Sequence, residues 1–301
     1  MQTDVVTGAF GYSGAAVARD LLAAGHQVRT LTGHPDRRPA GSPIDVRPLD
    51  FADADGLERD LRGAHTLYNT YWVRFPHGDA SHAAAVANSR ALFAAAARAG
   101  VERIVHVSIT HADPASPYPY FSGKGEVEAS LRDLGVPYAI ARPVILFGGH
   151  GVLLNNIAWL LRRLPVFAVG GRGDYRVRPI HVDDLAALLL RLADEPGNVT
   201  VDAVGPDSLP FLDLVRAIRA AVGSRALIVP APGWAVPALS AALGAALRDV
   251  LLTRDEYQAM AAGLADSDAP ATGETSLTEW ISAHGRELGL TYANELTRHY
   301  R

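Results

Sequence analysis

The first half of the chain alternates between short apolar runs of extended character and longer stretches whose apolar residues recur at helical spacing. Val5 and Val6 lead into a glycine cluster, after which Val17, Leu21 and Leu22 mark one helix face over residues 15–24, with Gly25 as the stop. The pattern predicts strands at 26–32, 45–49, 66–70, 103–107 and 138–141, with helices at 54–61, 81–99 and 123–134 between them. Alternation at this rate implies a parallel sheet covered on both faces, because each parallel pair needs a crossover that returns over the sheet. The predicted fold class is therefore α/β, a Rossmann-type doubly wound parallel sheet.

Beyond about residue 149 the rhythm loosens. Helices are predicted at 152–163, 183–193, 211–222 and 235–247, with short strands at Phe167, 199–203 and 227–229. The expected organisation is a nucleotide-binding domain over residues 1–150. Residues 151–301 form a smaller α/β substrate lobe, from which one or two elements rejoin the main sheet, and Thr272 to Arg301 reads as a helical tail. The apolar segment from Trp234 to Leu247 is shorter than a membrane span and carries Pro237 and Gly244, so it reads as a packed, Ala-rich helix.

Composition narrows the partners. A chain of 301 residues with 49% hydrophobic and 20% charged residues has the make-up of a globular protein. A net charge of −4 provides no basic field for a nucleic-acid backbone, so no nucleic acid is expected. The absence of cysteine excludes disulfides, thiolate catalysis and sulfur-ligated metal centres. The start of the chain lacks the pattern of a signal peptide, which makes the cytoplasm the expected location and gives no reason to expect a membrane partner. Eleven histidines fall without metal-ligand spacing, so no metal is expected, and His106, in an apolar strand, reads as a satisfied core residue.

The strongest chemical signal is the run from Thr7 to Gly14, placed between a strand and a helix where a phosphate site belongs. Gly8 makes the tight exit from the strand, Gly11 lets the backbone approach a pyrophosphate, and Gly14 allows close packing of helix on sheet, with Tyr12 inside the motif. The next strand ends without the early carboxylate that would grip the ribose hydroxyls of NAD. Arg37 and Arg38 follow instead, and either suits a 2′-phosphate, which favours NADP while leaving NAD open; a solvated basic loop is the alternative. Asp50 and Phe51, after the third strand, are placed to meet the adenine. Tyr120 and Lys124 stand four apart and so share a helix face, where an ammonium favours the phenolate and lowers the pKa of the tyrosine; a structural pair at chance spacing is the other reading. Ser108 and Thr110 end the preceding strand, where either can hydrogen-bond a substrate carbonyl. Tyr71, Trp72, Asn155, Asn156 and Trp159 are candidates to line a substrate pocket, with ordinary core packing as the other reading. Asp183 and Asp184 read as helix-start acids.

The ordered set of motifs resembles the short-chain dehydrogenase/reductase superfamily in its extended or atypical branch. The matching pieces are Thr7-Gly8-x-x-Gly11-x-x-Gly14, Asp50-Phe51, Ser108 with Thr110, Tyr120-x-x-x-Lys124, Arg142-Pro143-x-x-x-Phe147-Gly148 and Ile180-His181-Val182-Asp183-Asp184. The segment from Leu154 to Trp159 and the stretch from Arg178 to Asp184 look closest to bacterial NAD(P)-binding epimerase-like proteins, which are similar in turn to the nucleotide-binding accessory subunit of respiratory complex I. The resemblance implies Tyr120 as general acid/base and Lys124 on the nicotinamide ribose. It places Thr110 or Ser108 on the substrate oxygen and Pro143 near the nicotinamide. The segment Asn69-Thr70-Tyr71-Trp72 is bulkier than its family counterpart beside the cofactor path, with Asn69 counted among the cofactor contacts. The implied function is an NAD(P)-dependent oxidoreductase acting on a carbonyl or alcohol small-molecule substrate. An epimerase with internal hydride return and a non-catalytic NAD(P)-binding protein are the alternatives, as a monomer or homodimer.

Overall fold

The glycine cluster after Val6 separates strand β1 (Thr3–Thr7) from helix α1 (Tyr12–Ala23), and the alternation continues from there. Next come β2 (Gln27–Thr32), a 3-10 turn (Pro35–Arg37), β3 (Asp45–Pro48), α2 (Ala54–Leu61), β4 (Thr66–Asn69) and α3 (His82–Ala99). They are followed by β5 (Arg103–Val107), α4 (Pro119–Arg132) and β6 (Tyr138–Pro143). Then the chain runs through β7 (Leu146–Phe147), α5 (Val152–Arg163), β8 (Val166–Gly170), β9 (Arg176–Val177) and β10 (Ile180–His181) to α6 (Val182–Asp194) and β11 (Val199–Ala203). It ends with β12 (Leu209–Pro210), α7 (Phe211–Ala221), β13 (Leu227–Ala231), α8 (Ala235–Leu247), α9 (Arg254–Ala261), α10 (Leu277–His284) and α11 (Glu295–Tyr300). The computed structural model describes residues 2–300, the side chains of residues 299 and 300 excepted; Arg301, the end of the expected tail, lies outside them. Two compact units result, one of residues 1–143 with 182–203 and one of residues 144–181 with 204–301.

The first unit is a seven-stranded sheet in the order β11-β6-β5-β4-β1-β2-β3 with every pair parallel. The strand order reverses between β1 and β4, and ligands of open α/β sheets bind beyond the strand ends at such a switch point. Leu57 and Leu61 of α2, Leu92 and Phe93 of α3, and Val127 and Leu131 of α4 pack with Val5, Leu31, Leu67, Ile104 and Ile140 of the sheet into one core. Helix α3 starts at Ser81, whose hydroxyl accepts from Ala84 N at 3.0 Å, and it closes on Gly100 at φ 75°, the left-handed stop that glycine adopts without penalty. Helix α4 begins at Pro119, earlier than the spacing of its apolar residues suggests. A proline at the first helical position gives up only a hydrogen bond that the terminus never makes. That extra turn brings Tyr120 into the same helix as Lys124.

The second unit has three two-stranded ladders, β10 with β7, β12 with β9 and β13 with β8, around a core that includes Phe147, Leu154, Ile157, Leu161, Leu214, Ile218, Leu277 and Ile281. Its loops are held by arginine forks on backbone carbonyls. Arg162 reaches the oxygens of Leu288, Gly285 and Arg286, Arg163 those of Gly289 and Leu290, and Arg178 those of Gly205, Ser267 and Ala269. A rigid planar head with five donors can hold several carbonyls at once, whereas an ammonium is a point donor. Helix α8 forms where its sequence predicts and packs against β8 and α9, though only in part. Only Gly244 of it is buried, and Trp234, just before it, is 81% exposed. No helix among the described residues is long and apolar enough to cross a membrane.

Candidate functional site

The turn after β1 is built for close approach. Gly8 adopts φ 66°, its N–H bonds Leu31 O at 2.9 Å, and its own carbonyl accepts from Gly11 N at 2.8 Å. A Cβ on Gly14 would stand 2.3 Å from Gly8 O, so helix and turn can close only on a bare α-carbon. Gly11 caps α1 without any side-chain acceptor, and the first turn of that helix carries no acid. The positive end of the helix dipole and its first N–H groups therefore have no anion from the side chains of that turn, an arrangement that fits a dinucleotide pyrophosphate. A Gly14→Ala variant is expected to lose at least about tenfold in nucleotide affinity because the new methyl meets backbone, and titration with NADPH fluorescence reads the loss directly.

Lys124 is the chain's only lysine, against 27 arginines, a signal that a residue count would have raised. It is 2% exposed. Its Nζ donates to Val107 O at 2.7 Å and lies 4.5 Å from the centre of the Trp72 ring. Burial pulls its pKa down from 10.5 to about 7, with the nearby Glu128 charge opposing the shift. Trp72 meets Tyr120 edge-on at 5.8 Å and stacks with His82 at 6.1 Å, while His82 meets Tyr120 edge-on at 5.6 Å. Tyr120, Lys124 and Trp72 thus lie together, with Trp72 between the other two. His82, on the first turn of α3, joins them without having been singled out. Gly123 makes room for this packing, since a Cβ there would stand 3.1 Å from the Trp72 ring.

Ser108 and Thr110 are both buried at the end of β5, and Thr110 N bonds Pro143 O at 3.1 Å. Ser108 Oγ approaches the Glu128 carboxylate without reaching hydrogen-bond geometry. Glu128 is fully buried. Burial raises its pKa, but hydrogen bonds, chiefly from Arg142 at 2.8 and 2.6 Å and with a contribution from Arg132 at 2.8 Å, outweigh that and hold it below 4.5. His106 corrects the expectation of a satisfied core histidine: one ring nitrogen faces Asn69 Nδ2 at 3.1 Å, and Nε2 has no partner.

The other predicted positions are spread over both units. Tyr12 opens α1, half-buried. Arg37 ends the 3-10 turn, and Arg38, exposed, donates to Ser42 O at 2.7 Å. Asp50 accepts from Ala52 N at 2.9 Å, and Phe51 meets the Tyr71 ring at 4.8 Å. Tyr71 accepts from Asn88 Nδ2 at 2.9 Å. The Asn69 amide joins Thr7, Tyr71 and His106. Asn155 and Asn156 engage the backbone of residues 289–293, so both amides serve to fasten the C-terminal segment to α5. Trp159 packs on Tyr292 at 5.1 Å. Among the described residues no histidine or carboxylate cluster is arranged to hold a metal ion.

Residues 8–196, well over half the chain, match the family described as NAD(P)H-binding. The chain belongs to that family. The chain is 30% identical over 259 residues to an uncharacterized protein of Mycobacterium tuberculosis, covering 84% of the chain but 27% of that relative. It is 23% identical over 213 residues to the mitochondrial NADH-ubiquinone oxidoreductase 40 kDa subunit of Neurospora crassa, over 70% of the chain and 56% of the subunit. The chain thus spans about a quarter of the first of these relatives and about half of the second. Among solved structures, a triphenylmethane reductase of Citrobacter sp. matches with a TM-score of 0.77 at 20% identity, over 96% of this chain and 100% of that one. An NADPH-dependent quinone oxidoreductase from Escherichia coli matches at 0.75 and 23% identity, over 93% and 98%. A UDP-N-acetylglucosamine 4-epimerase from Bacillus cereus matches at 0.64 and 15%, over 77% and 86%.

Proposed function

We propose that this protein is an NAD(P)-dependent oxidoreductase that acts on a carbonyl or alcohol, with NADP(H) as the preferred cofactor. The observation that carries the reading is Lys124: the one lysine of the chain is buried beside the end of β5, one helical turn from Tyr120 and under an aromatic cover. A buried ammonium lowers stability, and a buried ionisable group so strongly perturbed marks a candidate functional site.

A bound nicotinamide dinucleotide supplies or accepts the hydride. Tyr120 gives its phenolic proton to the substrate oxygen, or takes it back in the reverse direction, and Lys124 in its protonated form favours the phenolate. Ser108 or Thr110 donates a hydrogen bond to the same oxygen. The turn formed by Gly8, Gly11 and Gly14, with Tyr12, takes the pyrophosphate. Arg37 and Arg38 take a 2′-phosphate, Asp50 and Phe51 the adenosine, and Pro143 the nicotinamide side. Tyr71 and Trp72 line the substrate side. Asn155 and Asn156 are left out of it because their amides are engaged with residues 289–293. Likeness over nearly the whole chain to two reductases supports net reduction over internal hydride return. The aromatic wall of Trp72, His82 and Tyr120 suits a flat unsaturated acceptor such as the quinone in the name of one of those reductases.

The test is a fluorescence titration with NADPH and NADH, followed by a quinone and carbonyl panel with the native protein and Tyr120→Phe. Tight NADPH binding, weaker NADH binding and a loss of about 100-fold or more in turnover on removing the phenol are expected. The Trp72 face lying on Lys124 favours a second reading, a nucleotide-binding protein without turnover. Tight binding with no hydride exchange and indifference to Tyr120→Phe would establish that one.

A further inference from the structure

Among the described residues, four buried side-chain polar atoms have no hydrogen-bond partner: Trp72 Nε1, Ser89 Oγ, His106 Nε2 and Ser108 Oγ. They belong to one region. His106 and Ser108 are two apart at the end of β5, Ser89 lies one helical turn before Phe93, whose ring meets His106 edge-on at 5.6 Å, and Trp72 covers Lys124. Burial, reinforced by the Lys124 charge, holds His106 well below 6.5, so the imidazole is neutral.

Which nitrogen carries the proton follows from the backbone. Tyr71 N–H can only donate, and it meets Asn69 Oδ1 at 3.1 Å, where Thr7 Oγ1 also donates at 3.2 Å. The Asn69 NH2 group then faces His106, which makes Nδ1 its acceptor at 3.1 Å and leaves the ring proton on the partnerless Nε2, while the Asn69 backbone opposes the downward pKa shift without overcoming it. Thr7 Oγ1 in turn accepts from Thr70 N at 2.8 Å and Tyr71 N at 3.1 Å, and Thr70 Oγ1 donates to Thr7 O at 2.7 Å. The chain of bonds runs from β5 through β4 to the last residue of β1 before the glycine turn. It fixes the two residues that precede Trp72.

We propose that His106 is a positioning residue: as a neutral acceptor at Nδ1 it orients the Asn69 amide, which sets the turn at residues 70–71 and so holds Trp72 over Lys124. The inference rests on the functional reading only in treating Lys124 as part of a reaction centre; the geometry it asserts stands in the free protein. The charged and titratable groups around Lys124 are Glu128 on its own helix, itself paired with Arg132 and with Arg142 of β6, Tyr120 on α4, and His106 on β5. His82 on α3 lies beyond the Trp72 ring.

Because there is one lysine, protein grown with 13C-labelled lysine gives one Cε–Hε signal, and NMR reads its position and its titration without cofactor or substrate. In the native protein the Trp72 ring current is expected to shift that signal upfield, with a titration midpoint near pH 7. His106→Leu removes the acceptor. It is expected to abolish the upfield shift and raise the midpoint by about one pH unit or more as Lys124 gains water. His106→Asn keeps a neutral acceptor where Nδ1 stands and is expected to preserve both. A folded His106→Leu protein with native shift and midpoint would overturn the proposal. Should that variant fail to fold, His106→Asn decides: retention of both values upholds the proposal, and loss of either overturns it. Failure of the quinone and carbonyl panel would remove the enzymatic reading and leave this result untouched.

Discussion

A Lys124→Met variant is expected to withstand urea better than the native protein at pH 6.5, and to lose that advantage as the pH is raised toward 10. The amine of the unfolded chain holds its proton up to about pH 10.5, whereas the folded protein releases it near 7. Between those values the unfolded chain binds more protons, so the native protein loses stability as the pH falls through that window, and below 7 the full penalty stands. A displacement of that size corresponds to about 5 kcal/mol. Methionine fills similar space without charge, but it leaves Val107 O without its donor, at about 1–3 kcal/mol, and forfeits the cation–π contact. The net gain at pH 6.5 is therefore about 1–3 kcal/mol, well within reach of equilibrium denaturation. No gain at pH 6.5, or a gain that stays constant to pH 10, would mean that the ammonium is not desolvated as described.

The second large effect goes the other way. Glu128→Gln is expected to destabilise the protein by about 2–4 kcal/mol, because it leaves the Arg142 and Arg132 heads without the buried carboxylate that both bond. Arg142 and Arg132 retain some access to water, which keeps the figure below the upper end for fully buried pairs. The carboxyl is held below 4.5, so its contribution is present above that pH and disappears as the carboxyl takes up a proton in acid. Native and variant stabilities should accordingly converge in urea titrations as the pH falls below 4.5. A parallel difference at every pH would refute the carboxylate's role. The same variant should lower the Lys124 midpoint further, since the opposing charge is gone.

Much of the first unit could be read from the chain because its cues are local. Apolar runs of four to six residues, a glycine after each helix and the strand–turn–helix setting of Gly8, Gly11 and Gly14 each depend on near neighbours. The pairing of Tyr120 with Lys124 also follows from helical spacing, even though the helix start at Pro119 was not apparent from its apolar residues. What stayed hidden depends on partners far along the chain. Asn69, Tyr71 and Trp72 look merely bulky in sequence, and only the pairing of β4 with β5 makes Asn69 level with His106. Asn155 and Asn156 resembled pocket residues until the segment at 289–293 came to lie against α5, more than 130 residues on. The short ladders of the second unit have two-residue strands, too brief for any alternation to register.

The single lysine has one more use. A protease that cuts only after lysine has one internal target in this chain, the bond between Lys124 and Gly125, and both residues are buried within α4. Cleavage must wait for that helix to open, so the rate at which the 124-residue and 177-residue fragments appear counts openings of α4 against a background of no other internal cuts. Adding a nucleotide or acceptor that steadies the helix should slow the cutting, which turns an unlabelled protein into a reporter of its own ligands.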